Sequence, residues 1–115
     1  MEGAARLTSA MRVAALLRLA RAADGFPVVL ARGDETAGAI LVVMREKGLN
    51  PVAFERVMGL DGRYGWGRIS PENLSQEIDF EGFIQRRRQR DPDLWLIELD
   101  VADATRFVDE TLSSI

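Results

Sequence analysis

Residues 9–23 place Val13, Leu16, Leu17 and Ala20 at intervals of three and four, the spacing that lines one stripe of a helix. Thr8 supplies an N-cap and Gly25 a stop, so the pattern predicts a first helix from Ser9 to about Ala23. The opposite side is apolar too. Met11, Ala14, Ala15, Leu19 and Ala22 leave Arg12, Arg18 and Arg21 as its only charges, which predicts cover from the sheet on one side and from a second subunit on the other. Phe26 to Ala31 and Ala39 to Arg45 are β-branched, apolar runs joined by Arg32-Gly33-Asp34-Glu35-Thr36-Ala37-Gly38, and they read as adjacent antiparallel strands. A turn at Glu46 to Pro51, a strand from Val52 to Met58, the hairpin signal Asp61-Gly62 and a strand from Arg63 to Ile69 complete a four-strand meander. Alternation puts Tyr64 and Trp66 on one face of that fourth strand, with Gly65 and Gly67 on the other.

Ser70-Pro71-Glu72 is a helix start, and a less regular stripe through Phe80, Phe83 and Ile84 carries the helix to about Gln89 or Arg90. Asp91-Pro92 ends it, because the residue before proline is pushed out of the helical region. Leu94 to Val101 is then nearly solid apolar chain and reads as a central strand with neighbours on both sides. A short helix over 102–110 follows. The expected fold is one α+β domain over 1–115, with 1–7 and 111–115 as frayed termini. Its mainly antiparallel sheet follows the order helix, four-strand meander, helix, strand; both main helices lie on one face, and the last strand inserts beside an early one.

Composition narrows the chemistry more than it names it. The 115 residues contain neither Cys nor His, which excludes thiolate nucleophiles, Cys/His zinc sites and Ser-His-Asp triads within this chain. No metal or cofactor is implied. No apolar run approaches the length of a membrane span and no signal core is present, so a cytoplasmic protein is the expectation. The net charge of −3 hides an asymmetry: residues 1–32 carry five Arg against Glu2 and Asp24, whereas 91–115 are acidic apart from Arg106. Packing of the two ends against each other explains this as well as charge-steered association does.

The Asp91-Pro92-Asp93-Leu94-Trp95 segment resembles that of domain-of-unknown-function family 1491, a small bacterial family. The likeness begins at Arg6-Leu7-Thr8-Ser9 and continues through Arg32-Gly33-Asp34, Ala37-Gly38-Ala39-Ile40-Leu41-Val42, Ala53-Phe54-x-Arg56, Gly62-Arg63 and Trp66. It covers most of the chain. The chain departs from the family pattern at Arg90 and after Asp100. The resemblance implies no activity and supplies no catalytic residue.

Three groups of residues are candidates for function. Arg32 and Asp34 in the first connection, together with Glu98 and Asp100 near the end of the last strand, are the candidate ligand-binding set, since carboxylates and guanidinium groups are the reactive chemistry this chain possesses. Turn formation by Gly33, Asp34 and Gly38, and solvation of the strand end, account for the same residues structurally. Trp66 and Tyr64 are the candidate partner-facing aromatics. Arg86, Arg87 and Arg88, within the basic run that ends at Arg90, are candidate contacts to a partner or, with Trp66, to RNA or DNA. The helix dipole accounts for the arginines by itself, because the same helix is acidic early and basic late, and a pI near 5.0 argues against a general nucleic-acid binder. By elimination the sequence points to a non-catalytic protein-interaction or adaptor module that forms a homodimer. The competing classes are a small-ligand-binding protein or carboxylate/arginine enzyme, and a nucleic-acid binder. Trp95 is the expected core aromatic, its indole N–H in need of an acceptor.

Overall fold

Strands apolar at successive positions have two faces to hide, and that requirement shapes the molecule. The computed structural model describes residues 7–69, 77–112 and 115. Its elements are α1 (Ser9–Ala22), β1 (Phe26–Ala31), β2 (Ile40–Glu46), β3 (Leu49–Met58), β4 (Tyr64–Arg68), α2 (Glu77–Arg90), β5 (Trp95–Asp100) and α3 (Ala104–Glu110). The predicted start of α2 at Ser70-Pro71-Glu72 lies outside the described residues.

The five strands form one sheet in the order β1-β5-β2-β3-β4. As expected, β5 is interior: it pairs antiparallel with β1, Val29 opposite Ile97, and parallel with β2, Val42 opposite Ile97. One expectation is corrected by this insertion. The first two strands are not neighbours, because β5 separates them, so the meander proper is β2-β3-β4. The sheet is mixed: three of its four strand pairs are antiparallel, as expected of a mainly antiparallel sheet, and the β2–β5 pair is parallel. The reason is burial: in the middle of the sheet β2 and β5 are covered along both edges, where their apolar side chains belong.

The helices are also distributed differently from the expectation of one covered face. Ile40, Val42, Met44, Trp95, Ile97 and Leu99 pack with Val13, Leu16 and Ala20 of α1 and Phe107 of α3. The alternate residues Leu41, Val43, Leu94 and Leu96 pack with Ala53 and with Phe80 and Ile84 of α2. Successive side chains of a strand point to opposite faces, so α1 and α3 cover one face and α2 the other. One helical layer cannot bury both sides of strands whose apolar residues fall on both faces. Leu112, at the expected frayed end, is fully buried in the α1/α3 layer.

Because β5 lies between β1 and β2, the connecting segment 32–39 has to cross the start of β5. It does so at close quarters. Asp34 N–H donates to the Asp93 carbonyl at 3.0 Å, Trp95 N–H to the Ala39 carbonyl at 2.8 Å, and the Trp95 indole Nε1–H to the Asp34 carbonyl at 2.7 Å. A Cβ on either Gly33 or Gly38 would collide with the Asp93 carbonyl oxygen. Neither glycine has the positive φ of a tight turn, so what each supplies is room for a crossing backbone. The same segment seats α1: Ser9 N–H donates to Thr36 O, Ala10 N–H to Glu35 O, and Ser9 Oγ to Gly38 O at 2.6 Å.

Gly33→Ala is therefore expected to destabilise the fold by about 1–3 kcal/mol or more, as overpacking against backbone does. Gly65→Ala, whose Cβ would meet nothing within 4 Å, is expected to be neutral within about 0.5 kcal/mol. Urea unfolding midpoints for the two variants check the contrast.

Candidate functional site

The four residues expected to bind a ligand divide between the two ends of β5. At its start, Asp34 organises the crossing segment: its Oδ2 accepts from Thr36 N–H at 3.2 Å and Ala37 N–H at 2.8 Å. Arg32 is exposed, 3.9 Å from Glu35, and its guanidinium lies 5.4 Å from the Trp95 ring centroid. At the far end, Glu98 accepts from Arg45 Nε at 2.8 Å. Asp100 accepts from the N–H groups of Lys47 and Gly48, at 2.8 and 2.7 Å. Lys47 and Gly48 both have positive φ, so the Asp100 carboxylate holds the β2–β3 turn in a conformation that Lys47 adopts at a cost. Arg32 and Asp34 thus stand apart from Glu98 and Asp100, and the two halves do not converge on one reacting position. Among the described residues no cluster of acidic side chains is arranged to hold a metal ion.

The aromatic and basic candidates also separate. Tyr64, Trp66 and Arg56 are in register across β3 and β4 and share the face that carries α1, since Arg56 is opposite Trp66 and Phe54 opposite Arg68. Arg86, Arg87 and Arg88 belong to α2 on the other face. Arg87 reaches back to the sheet, its guanidinium 2.6 Å from Glu55, with both side chains largely shielded from water. Trp66 is half-buried and its Nε1 is enclosed without an acceptor. Arg88 does meet another candidate: with Arg32, Gln85, Gln89 and Asp91 it lines an open depression of about 350 Å³ where α2 ends over β5.

Two features escaped the sequence pattern. β1, expected to pair with the second strand of the chain, is an edge strand beside β5 with Phe26 74 % exposed, Val28 47 %, Val29 37 % and Leu30 48 %. The second is a cavity on the α1 face into which Arg12 and Arg56 both open. No local spacing relates a helix residue to one on the third strand, so nothing in the chain announces their meeting.

With this geometry in hand, comparison with known proteins decides the family. The profile described as "Protein of unknown function (DUF1491)" matches residues 7–109. The chain belongs to the DUF1491 family. It is similar to the solution structure of a DUF1491 family protein from Caulobacter crescentus CB15, with 31 % identity and a TM-score of 0.73 over 89 % of this chain and 92 % of that one. A crystal structure of a DUF1491 protein from the same organism gives 28 % identity and a TM-score of 0.71, over 84 % and 88 % of the two chains. The solution structure of protein Atu0922 from A. tumefaciens gives 25 % identity and a TM-score of 0.74, over 90 % and 92 %. No curated protein matches the chain. Membership in DUF1491 confirms the resemblance read from the Asp91-to-Trp95 segment and assigns no function.

The Arg87–Glu55 pair is a test of what the basic end of α2 does. A double-mutant cycle with Arg87→Met and Glu55→Gln is expected to give a coupling of about 1–3 kcal/mol, the range of a shielded charge-assisted hydrogen bond. A coupling near zero in urea unfolding would mean that Arg87 is not tied to the sheet.

Proposed function

We propose that this DUF1491 protein is a non-catalytic interaction module of the cytoplasm, and that the strip of apolar side chains on β1 is its contact surface. The carrying observation is the exposure of Phe26, Val28 and Leu30 along one strand that has no charged residue. Isolated exposed apolar residues need no explanation, but a run of them on an edge strand is an association surface or a liability. Pro27 lacks an N–H, and the register shifts between Val29 and Ala31, leaving Leu30 as a bulge. Both features blunt backbone pairing along the outer edge. Association through side chains therefore fits the strip better than extension of the sheet does.

The occupant that suits it is a second copy of the chain in a two-fold arrangement. An uncharged strip set against itself brings no like charges together, and isologous contact is the common way in which identical chains associate. On this reading the interface lies on β1, rather than on the outer side of α1 or on the β4 edge. On α1 only Met11 among the larger apolar side chains is strongly exposed, at 51 %, while β4 carries two glycines and ends in Arg68. Among the described residues neither end of β5 carries a convergent acid–base pair, which supports the non-catalytic reading.

Light scattering across 10–500 μM, a span set on the order of the affinities of small transient interfaces, is expected to show a reversible dimer. Val28→Lys should shift it to monomer while leaving the melting temperature within a few degrees, because an exposed edge lysine opposes association at little cost to the fold. A wild-type chain that stays monomeric throughout the range defeats the self-association reading.

A further inference from the structure

The cavity on the α1 face, about 700 Å³ in volume, lies between the start of α1, the crossing segment 32–39 and the β3–β4 hairpin. That is within the range of small-molecule sites, roughly 300–1,000 Å³. Its charged lining is all of one sign: Arg12 and Arg56 open into it, and no Asp or Glu side chain lines it among the described residues. Leu7, Ile40, Met58 and the Tyr64 ring supply apolar wall.

Arg56 is the distinctive member. Its guanidinium sits over the Tyr64 ring, 4.2 Å from the centroid, and among the described residues it has neither a carboxylate partner nor a hydrogen-bond acceptor. Burial pushes its pKa below the usual arginine value, and the nearby positive charge of Arg12 pushes it the same way, against a smaller opposing effect of Tyr64. Arg12 gives one Nη1 hydrogen bond, 2.6 Å long, to the terminal main-chain oxygen of Ile115, and among the described residues its other donors have no acceptor. Elsewhere in the fold the shielded guanidinium groups are paired: Arg45 with Glu98, and Arg87 with Glu55. Arg56 has no such partner among the described residues, and seating it beside the positive charge of Arg12 costs stability that the Tyr64 ring only partly offsets.

The N-terminus of α1 does not explain the arrangement. Its first N–H groups are already used, by Thr36 O, Glu35 O, Thr8 Oγ1 and Thr8 O in turn from Ser9 to Arg12. Any anion here would be held by side chains.

We infer that Arg12 and Arg56 form a binding site for a small organic oxyanion, a carboxylate or phosphate monoester whose short apolar body rests against Leu7, Ile40 and Met58. Guanidinium N–H edges match either oxyanion in a bidentate fashion, and seating on an aromatic ring orients the plane of Arg56 before the ligand arrives. The site is on the α1 face between β3, β4 and α1, remote from the β1 strip across the sheet, so it stands independently of the self-association surface.

The test is titration of the isotope-labelled full chain with hexyl phosphate, hexanoate, inorganic phosphate and hexylamine, followed by backbone amide and arginine Nε–Hε resonances. Saturable shifts confined to 9–12, 36–40 and 56–64 are expected with one or both hexyl oxyanions, with inorganic phosphate weaker and hexylamine inert. Stronger binding of hexyl phosphate assigns a phosphate ligand, and stronger binding of hexanoate a carboxylate. Arg56→Gln and Arg12→Gln should each weaken binding by about ten- to hundredfold, the effect of losing a charge-assisted hydrogen bond, whereas Arg21→Gln at the far end of α1 should not. Without ligand, Arg56→Gln should melt at the same temperature as wild type or higher, which a purely structural arginine would not do. Equal response to hexylamine, absence of saturable shifts, or affinity unchanged by both glutamine substitutions overturns the assignment.

Discussion

The carbonyl of Asp93 is the point on which the fold turns. Gly33 and Gly38 close on it from the crossing segment, Asp34 N–H donates to it, and two residues later the Trp95 ring is buried with its indole N–H held by Asp34. This crossing is what allows β5 to enter between β1 and β2, and β5 is what buries Ile97 and Leu99 on one face and Leu94 and Leu96 on the other. The hydrogen bonds of Ser9 and Ala10 to the same segment then fix where α1 begins. A side chain at Gly33 would force the two backbones apart at the centre of the molecule, so the damage would extend beyond a local turn.

This arrangement also explains why several functional candidates are occupied with structure. Asp34 shapes the crossing, Asp91 accepts from Asp93 N–H in the α2–β5 turn, and Asp100 holds the β2–β3 turn from the opposite end of the strand. Each carboxylate accepts from backbone N–H groups, which is how a mixed sheet with tight connections satisfies donors that its ladders leave over. What is left for recognition lies away from β5: the apolar strip of β1 and the arginine-lined cavity near the β3–β4 hairpin. They sit at opposite edges of the sheet, where the polypeptide has no further strand to spend on cover.

The comparison between face and face is informative about energetics. On the α2 face Arg87 and Arg45 reach carboxylates, and their charges are offset where they are shielded. On the α1 face Arg12 and Arg56 repel each other, and Trp66 Nε1 is enclosed without an acceptor. A fold under no demand but stability has easier residues available for such positions. The α1 face is thus where local rules are broken, and it is the face that carries the proposed oxyanion site.

Much of the architecture was legible in the chain. Period-3.6 stripes located α1 and the body of α2, Asp91-Pro92 marked the end of α2, and the solid apolar run from Leu94 showed that the last strand would be interior. The need of the Trp95 indole for an acceptor was visible as well, and the Asp91-to-Trp95 segment pointed to the family. Periodicity failed where a decision depended on residues far apart in sequence. It read Phe26–Ala31 and Ile40–Glu46 as a hairpin because they are close in the chain, whereas the sheet separates them with a strand that comes some fifty residues later. It put the helices on one face, although strands with apolar residues on both faces need cover on both. It marked Glu98 with Arg32, which the sheet holds at opposite ends of β5, and had no way to bring Arg12 to Arg56. Local composition determines what each segment becomes, since propensity, capping and burial pattern act within a few residues. Which segments meet is decided by the one packing that covers both faces of β2 and β5, and only the tertiary structure contains that answer.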